Sequence, residues 1–164
     1  MNSIENLIPD QNGNYLVVVL YLYDDYDKKH SFQIPPEYQE VEIIDINIRK
    51  LKLDNPIGVG AFFKLADWIL TQFNTFKGTV FSYICSTEAI DSRHIELSPE
   101  EYRWKLFERL CDSKLAQIEE AGIRCIDVTI GPEGYSSKAR IFYKMPEAPI
   151  VNLVINHLEN KYNV

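Results

Sequence analysis

The stretch YLVVVLYLY, residues 15–23, decides the fold. It is β-branched and aromatic, and it carries apolar side chains on both alternating faces, as a strand buried on both sides of a sheet does. The pattern therefore predicts a central strand. The polar residues before it end at Asn12-Gly13-Asn14, and we expect residues 1–12 to be loose. Residues 160–164 are likewise expected to fray.

Strand and helix patterns follow one another along the rest of the chain. The charged residues 24–29 predict a hairpin turn, and residues 30–34 predict a short strand that ends at Pro35-Pro36. Further strands are predicted at residues 41–51, 79–85, 123–130 and 139–144. Helices are predicted at residues 61–73, at residues 98–121 with Gly122 as the stop, and from Pro149 onward.

The predicted order of these elements is β-β-β-α-β-α-β-β-α within one domain of 164 residues. Runs of strands interrupted by single helices favour an α+β fold over a repeated βαβ fold. We therefore expect a mixed or antiparallel sheet of about six strands with three helices packed mainly on one face.

The charge and hydropathy of the chain exclude several classes of function. A formal net charge of −7 disfavours binding to nucleic acids or anionic membranes, because both need a basic surface, and it permits a basic protein partner. The longest apolar run is far too short to span a bilayer. The first ten residues lack a basic start and an apolar core, so the predicted location is the cytoplasm.

The cysteine and histidine positions predict no metal site and no cofactor. The three cysteines are odd in number and lack CxxC spacing, which is typical of reduced thiols in a core. The three histidines have no second ligand three or four positions away. The residues concerned are Cys85, Cys111 and Cys125, and His30, His94 and His157.

One group of residues permits catalysis as an alternative. Cys85 ends a predicted strand, and Asp91 and His94 follow in the next loop. A thiol nucleophile needs an imidazole to hold it as thiolate, and a carboxylate can orient that imidazole. The apolar neighbours Phe81 and Tyr83 favour a simple core cysteine instead. A small enzyme or ligand-binding domain that uses this loop is the alternative function.

The leading hypothesis is a non-catalytic protein-binding module of the immunity, antitoxin or accessory type. Small size, acidity and abundant tyrosine favour it, because tyrosine buries a large area and keeps a polar tip. A homo-oligomer is a further possibility, since it needs only an exposed apolar patch. The expected partner-binding residues lie in the charged turn and in the loop after Cys85: Tyr23, Asp24, Asp25, Tyr26, Asp27, Glu88, Arg93 and Glu96.

Three short segments also carry a family resemblance: Tyr83-Ile84-Cys85-Ser86, Arg103-Trp104-Lys105-Leu106-Phe107 and Ala139-Arg140-Ile141-Phe142. On these segments the chain resembles a domain-of-unknown-function family of small Bacteroidetes proteins over residues 35–164. The connection at residues 87–98 is longer here than in the family pattern. The resemblance implies a bacterial accessory protein, and it implies no reaction and no catalytic residue.

Overall fold

The computed structural model of the chain describes residues 2–51, 59–84, 99–131 and 137–162. The strands are β1 (Asn2–Pro9), β2 (Tyr15–Leu22), β3 (Glu42–Leu51), β4 (Thr79–Ile84), β5 (Arg124–Ile130) and β6 (Ser137–Tyr143). The helices are α1 (Asp25–His30), α2 (Val59–Thr75), α3 (Pro99–Ser113), α4 (Leu115–Glu120) and α5 (Ala148–Tyr162). Short 3-10 turns lie at Pro36–Tyr38 and Met145–Glu147.

The strands form one mixed sheet in the order β1-β2-β3-β4-β6-β5. Strands β3 and β4 are parallel and are joined through α2, whereas the other neighbouring pairs are antiparallel. A parallel pair needs a crossover connection, and α2 supplies it. The predicted α+β fold with a mixed sheet of about six strands is confirmed.

Helices pack on both faces of the sheet, which corrects the expectation that they lie mainly on one. Helices α2, α3 and α4 cover the face that includes Leu20, Ile44 and Phe81, here called the α2 face. Helix α5 covers part of the other face, the α5 face, where it meets Ile43 and Val80. Strands β3 and β4 bury apolar side chains at both odd and even positions, and these lie on opposite faces of the sheet. Each face therefore needs a cover.

Residues 2–9, which the sequence led us to expect as loose, form the edge strand β1. Each residue from Asn2 to Pro9 pairs with β2 in antiparallel register. Asp10 closes the turn, since its Oδ1 accepts from the backbone N–H groups of Asn12 and Asn14 at 2.8 Å each. Gly13 has a φ of 79°, a left-handed conformation that favours glycine. At the other end of the chain, residues 160–162 belong to α5.

The predicted turn and strand at residues 24–34 are wrong: the charged segment forms helix α1. Asp24 caps it, because its Oδ1 accepts from the Asp27 backbone N–H at 2.9 Å. This hydrogen bond also lowers the pKa of Asp24. After α1, Phe32 and Ile34 pack into the cluster under α5 without joining the sheet. The segment predicted as a strand is thus a loop whose side chains Phe32 and Ile34 pack into the core.

The predicted helix at residues 98–121 is divided into α3 and α4 by Lys114, whose φ of −112° and ψ of 8° leave the helical range. Gly122 ends α4 as expected, with a φ of 74° and its backbone N–H donating to the Glu119 carbonyl at 2.9 Å. The predicted strands at residues 123–130 and 139–144 are confirmed as β5 and β6, with shifts of one or two residues at their ends.

Candidate binding site on the α5 face of the sheet

Six of the residues singled out in the sequence lie outside the part of the chain that the structure describes: Cys85, Glu88, Asp91, Arg93, His94 and Glu96. The catalytic alternative that uses Cys85, Asp91 and His94 therefore stays a prediction. The partner contacts expected of Glu88, Arg93 and Glu96 stay predictions as well. The candidate site described below is built from other residues.

The predicted contact residues around α1 differ in their exposure. Tyr23 is buried, and its hydroxyl donates to Asp45 Oδ2 at 2.5 Å, so its expected role as a surface contact is wrong. Tyr26 is exposed and lies against His30, with 4.4 Å between the ring centres. Asp24 and Asp25 are exposed and Asp27 is half-buried. Among the expected contact residues that the structure describes, Asp24, Asp25 and Tyr26 are thus exposed, as the sequence led us to expect.

The thiols also depart from expectation, because Cys125 is exposed on the edge strand β5 whereas Cys111 is half-buried on α3. Burial raises the pKa of both thiols, that of Cys111 to about 11, while the nearby Arg140 acts in the opposite direction.

We expect iodoacetamide to modify Cys125 before Cys111 in the folded protein at about pH 7.5, by tenfold or more in rate, because the thiolate is the reactive species and access is needed. Peptide mass spectrometry distinguishes the two sites. In denaturant the two rates should converge. Faster modification of Cys111 in the folded protein would contradict the burial described for it.

A carboxylate in the middle of the sheet is the centre of the candidate site. Asp45 projects from β3 onto the α5 face and accepts two short hydrogen bonds from neighbouring strands. Tyr23 donates to Oδ2 at 2.5 Å, and Ser82 on β4 donates from Oγ to Oδ1 at 2.6 Å. Ser82 lies beside Asp45 because the parallel register pairs the two residues. Tyr23 follows β2 directly, and its backbone N–H donates to the Ile43 carbonyl at 3.0 Å, which places its ring near Asp45. The two bonds to Asp45 fix the orientation of the carboxylate.

The space above this carboxylate is a polar cavity of about 180 Å³, here called the cup. Its wall includes Asp45 and Ser82 at the base, and Asn47 and Ile84 toward the ends of the parallel strands. Tyr21 from β2 and Lys161 from the last turn of α5 complete the wall. The cup therefore brings an anionic group and cationic and amide donors into one small space.

His157 lies behind the cup and supports Tyr23. Its ring centre is 4.1 Å from that of Phe32 and 5.8 Å from that of Tyr23. Burial lowers the pKa of His157, although the charge of Asp45 opposes this shift. His157 is therefore favoured as a neutral ring near neutral pH, where it packs the tyrosine that orients Asp45.

Next to the cup, the α5 face of β1, β2 and β3 carries large exposed side chains among exposed polar residues such as Glu5 and Arg49, and it is here called the open face. Its large side chains are exposed: Leu7 by 51%, Tyr15 by 41% and Tyr21 by 37%. Between the two tyrosines Val17 and Val19 are buried, at 1% and 3% exposed, and they pair with Leu7 and Glu5 of β1 on the same face. Neither hydrophobic cluster of the described residues includes these two valines.

A smaller apolar cavity of about 70 Å³ lies on the α2 face. Leu65 and Phe73 of α2, Phe107 of α3 and Ile118 of α4 contribute to its wall. At its edge Lys114 forms an ion pair with Asp67 of α2. The cavity is apolar and small, and we regard it as a gap between helices.

In the sequence, Asp45 and Asn47 alternate with isoleucines, which predicts a strand with one polar face but does not predict the cup. The missing information was the pairing of β3 with β4, which brings Ser82 to Asp45 across 37 positions of sequence. The sequence also did not show that helix α1 forms in place of a strand, or that Tyr23 is buried beside Asp45.

The fold and the site define the chain as an α+β protein with a mixed six-stranded sheet, a polar cup and the adjoining open face. Comparison with known proteins adds no relative: no family model, curated protein or solved structure matches the chain. Of the helices in the described ranges, none is both long and apolar enough to cross a membrane. In the same ranges no three His, Cys, Asp or Glu side chains are grouped so as to hold a metal ion.

Proposed function

We propose that this chain is a non-catalytic protein-binding module and that the open face is its contact surface. The observation that carries the proposal is the exposure of Leu7, Tyr15 and Tyr21 on the same side of the two neighbouring strands β1 and β2. Large apolar side chains gathered on a single surface mark sites of protein contact, whereas scattered ones need no explanation.

The shape and chemistry of the open face support a protein partner. Tyrosines are enriched at interfaces because they bury a large area while the hydroxyl keeps its hydrogen bonds. Tyr15 and Tyr21 stand at opposite ends of β2, and the small Val17 and Val19 lie between them. Because Val17 and Val19 are only 1% and 3% exposed, a partner would contact the two tyrosines and Leu7 rather than these valines.

The proposed partner is a different protein with a basic contact surface. The net charge of −7 favours it, because an acidic chain attracts basic partners over a distance and repels a second copy of itself. On the open face Glu5 and Arg49 are exposed in the rows beside Val19 and Val17. The proposal includes the immunity, antitoxin and accessory roles and places the chain in the bacterial cytoplasm.

We expect Tyr15→Ser to reduce capture of this partner by about tenfold or more, since a buried interface tyrosine commonly contributes over 1 kcal/mol to binding. Purified chain is immobilised, and partner recovered from native extract is quantified by mass spectrometry at low and at high salt. The matched control is Leu115→Ser on α4, because Leu115 is comparably exposed but α4 packs on the α2 face.

A partner lost with Tyr15→Ser, retained with Leu115→Ser and weakened by salt supports the proposal. Equal recovery with both variants would remove the open face as the contact surface. Recovery that salt does not change would contradict the basic character proposed for the partner.

A further inference from the structure

The carboxylate of Asp45 in the cup accepts two hydrogen bonds from side chains of the described residues. Both donors to Asp45, the hydroxyls of Tyr23 and Ser82, are neutral. None of the ion pairs in the described part of the chain includes Asp45. An ionised carboxylate offers about four acceptor positions, and these two bonds use half of them. The remaining positions can accept hydrogen bonds from a cationic group inside the cup.

Other groups in the wall of the cup carry the complementary chemistry. Lys161 contributes an ammonium group with three N–H donors, so it can serve a ligand in addition to the protein. Asn47 is exposed and contributes an amide. Ile84 and the ring of Tyr21 add apolar surface. A ligand that is only a cation would meet repulsion from Lys161, and one that is only an anion would meet repulsion from Asp45.

The size of the cup limits the ligand to a small molecule. Its volume of about 180 Å³ is slightly larger than the roughly 150 Å³ of an apolar cavity that accepts benzene. A molecule of about six to nine non-hydrogen atoms matches this space. Polar groups that converge in a cavity of this kind orient a ligand, and the apolar part of the wall contributes to its burial.

We propose that the cup binds a small zwitterion of the amino-acid class. The ammonium group lies against Asp45, where Tyr23 and Ser82 hold the carboxylate in place. The ligand carboxylate lies toward Lys161 and Asn47, and a short apolar side chain packs on Ile84. This site is additional to the protein-binding role of the open face and does not depend on it, because it can be tested on the purified chain alone.

The test uses isothermal titration calorimetry with leucine and with two analogues that each lack one charge. These are 3-methylbutylamine, without the carboxylate, and 4-methylpentanoate, without the ammonium. Alanine is titrated as a smaller zwitterion. We expect a zwitterion to bind at least tenfold more tightly than either singly charged analogue. No binding by leucine or alanine up to about 10 mM, weaker than the affinities typical of small-molecule sites, would overturn the proposal.

Equal or tighter binding of the amine would also overturn the proposal, because the cup would then suit a lysine side chain of a protein partner.

Two variants connect the binding to the cup. Asp45→Asn removes the charge, with Asp112→Asn on α3 as the control for an exposed aspartate elsewhere. Asn47→Trp fills the cup while both hydrogen bonds to Asp45 remain. Loss of binding is expected with Asp45→Asn and Asn47→Trp and not with Asp112→Asn.

Circular dichroism separates loss of binding from loss of folding in these variants. Asn47 is exposed, so Asn47→Trp is expected to keep the wild-type unfolding temperature within a few degrees. Unchanged leucine binding by folded Asn47→Trp would show that the ligand lies outside the cup and would overturn the assignment.

Discussion

Replacing Phe81 with alanine is expected to lower the free energy of unfolding by about 3–5 kcal/mol. Phe81 is among the largest fully buried side chains of the chain and lies on β4, between β3 and β6. Its ring is 4.9 Å from that of Phe73 and 6.5 Å from that of Phe76, both in edge-to-face geometry. Alanine would remove these contacts and leave a cavity between α2 and the sheet.

Urea unfolding followed by circular dichroism measures this loss. The matched control is Phe63→Ala, because Phe63 lies on α2 but is exposed, and we expect a change of about 0.5 kcal/mol or less. Since a domain of this kind is stable by only about 5–15 kcal/mol, the difference between the two variants is readily measured. Similar losses for Phe63→Ala and Phe81→Ala would contradict the packing of α2 on the sheet.

Replacing Lys28 with methionine is expected to lower the free energy of unfolding by about 2–4 kcal/mol, although it removes a charge from an otherwise buried position. The side chain is only 4% exposed. Its Nζ donates to the Gln39 carbonyl at 2.7 Å and to the Val41 carbonyl at 3.2 Å. Methionine would fill the space but leave both carbonyls without this donor. The pair with Asp25 at 3.6 Å adds little, because that carboxylate is in solvent.

The neighbouring Lys29→Met variant is the control, because Lys29 is an exposed residue of the same helix. We expect its unfolding free energy to stay within about 0.5 kcal/mol of the wild type. The contact of Lys28 joins α1 to the segment that leads into β3, so its loss should also weaken the support of Tyr23 beside the cup. A Lys28→Met protein as stable as Lys29→Met would contradict this role.

The sheet was largely predictable from sequence because its inner strands carry strong patterns. The run of valines and leucines in β2 is typical of a strand buried on both faces, and the alternation in β3 is typical of a strand with one polar face. The edge strand β1 carries a weaker pattern, because only Ile4 and Ile8 of this strand join the apolar cluster of described residues and the polar Asn6 lies between them on the same face. Its pairing depends on the turn at Asp10, which short-range propensity alone does not show.

The region after β2 could not be predicted for a different reason. A cap from Asp24 and a buried Lys28 make a six-residue helix stable, and both act through atoms that come together only in the folded chain. A charged segment without these contacts is typical of a solvent-exposed turn. The candidate site depends on the same region, since α1 leads Phe32 to its place against Tyr23.

The open face and the cup could not be predicted from the sequence, because both depend on how the strands pair and how the helices pack on them. Tyr15 and Tyr21 belong to a strand that the sequence predicts as buried on both sides, yet one side of that strand is exposed at both ends. Helix α5 packs on β3, β4 and β6, where Ile150 and Val154 share a cluster with Ile43, whereas Tyr15 and Tyr21 lie outside this cluster.

Site-specific photo-crosslinking tests the central claim, the contact surface, most directly. Benzoylphenylalanine replaces Tyr15 on the open face in one protein and Leu115 on α4 in another, and each is irradiated in native extract. The account predicts an adduct with one basic protein from position 15 and none from position 115. Equal adducts from both positions, or an adduct from position 15 that contains only two copies of this chain, would contradict it.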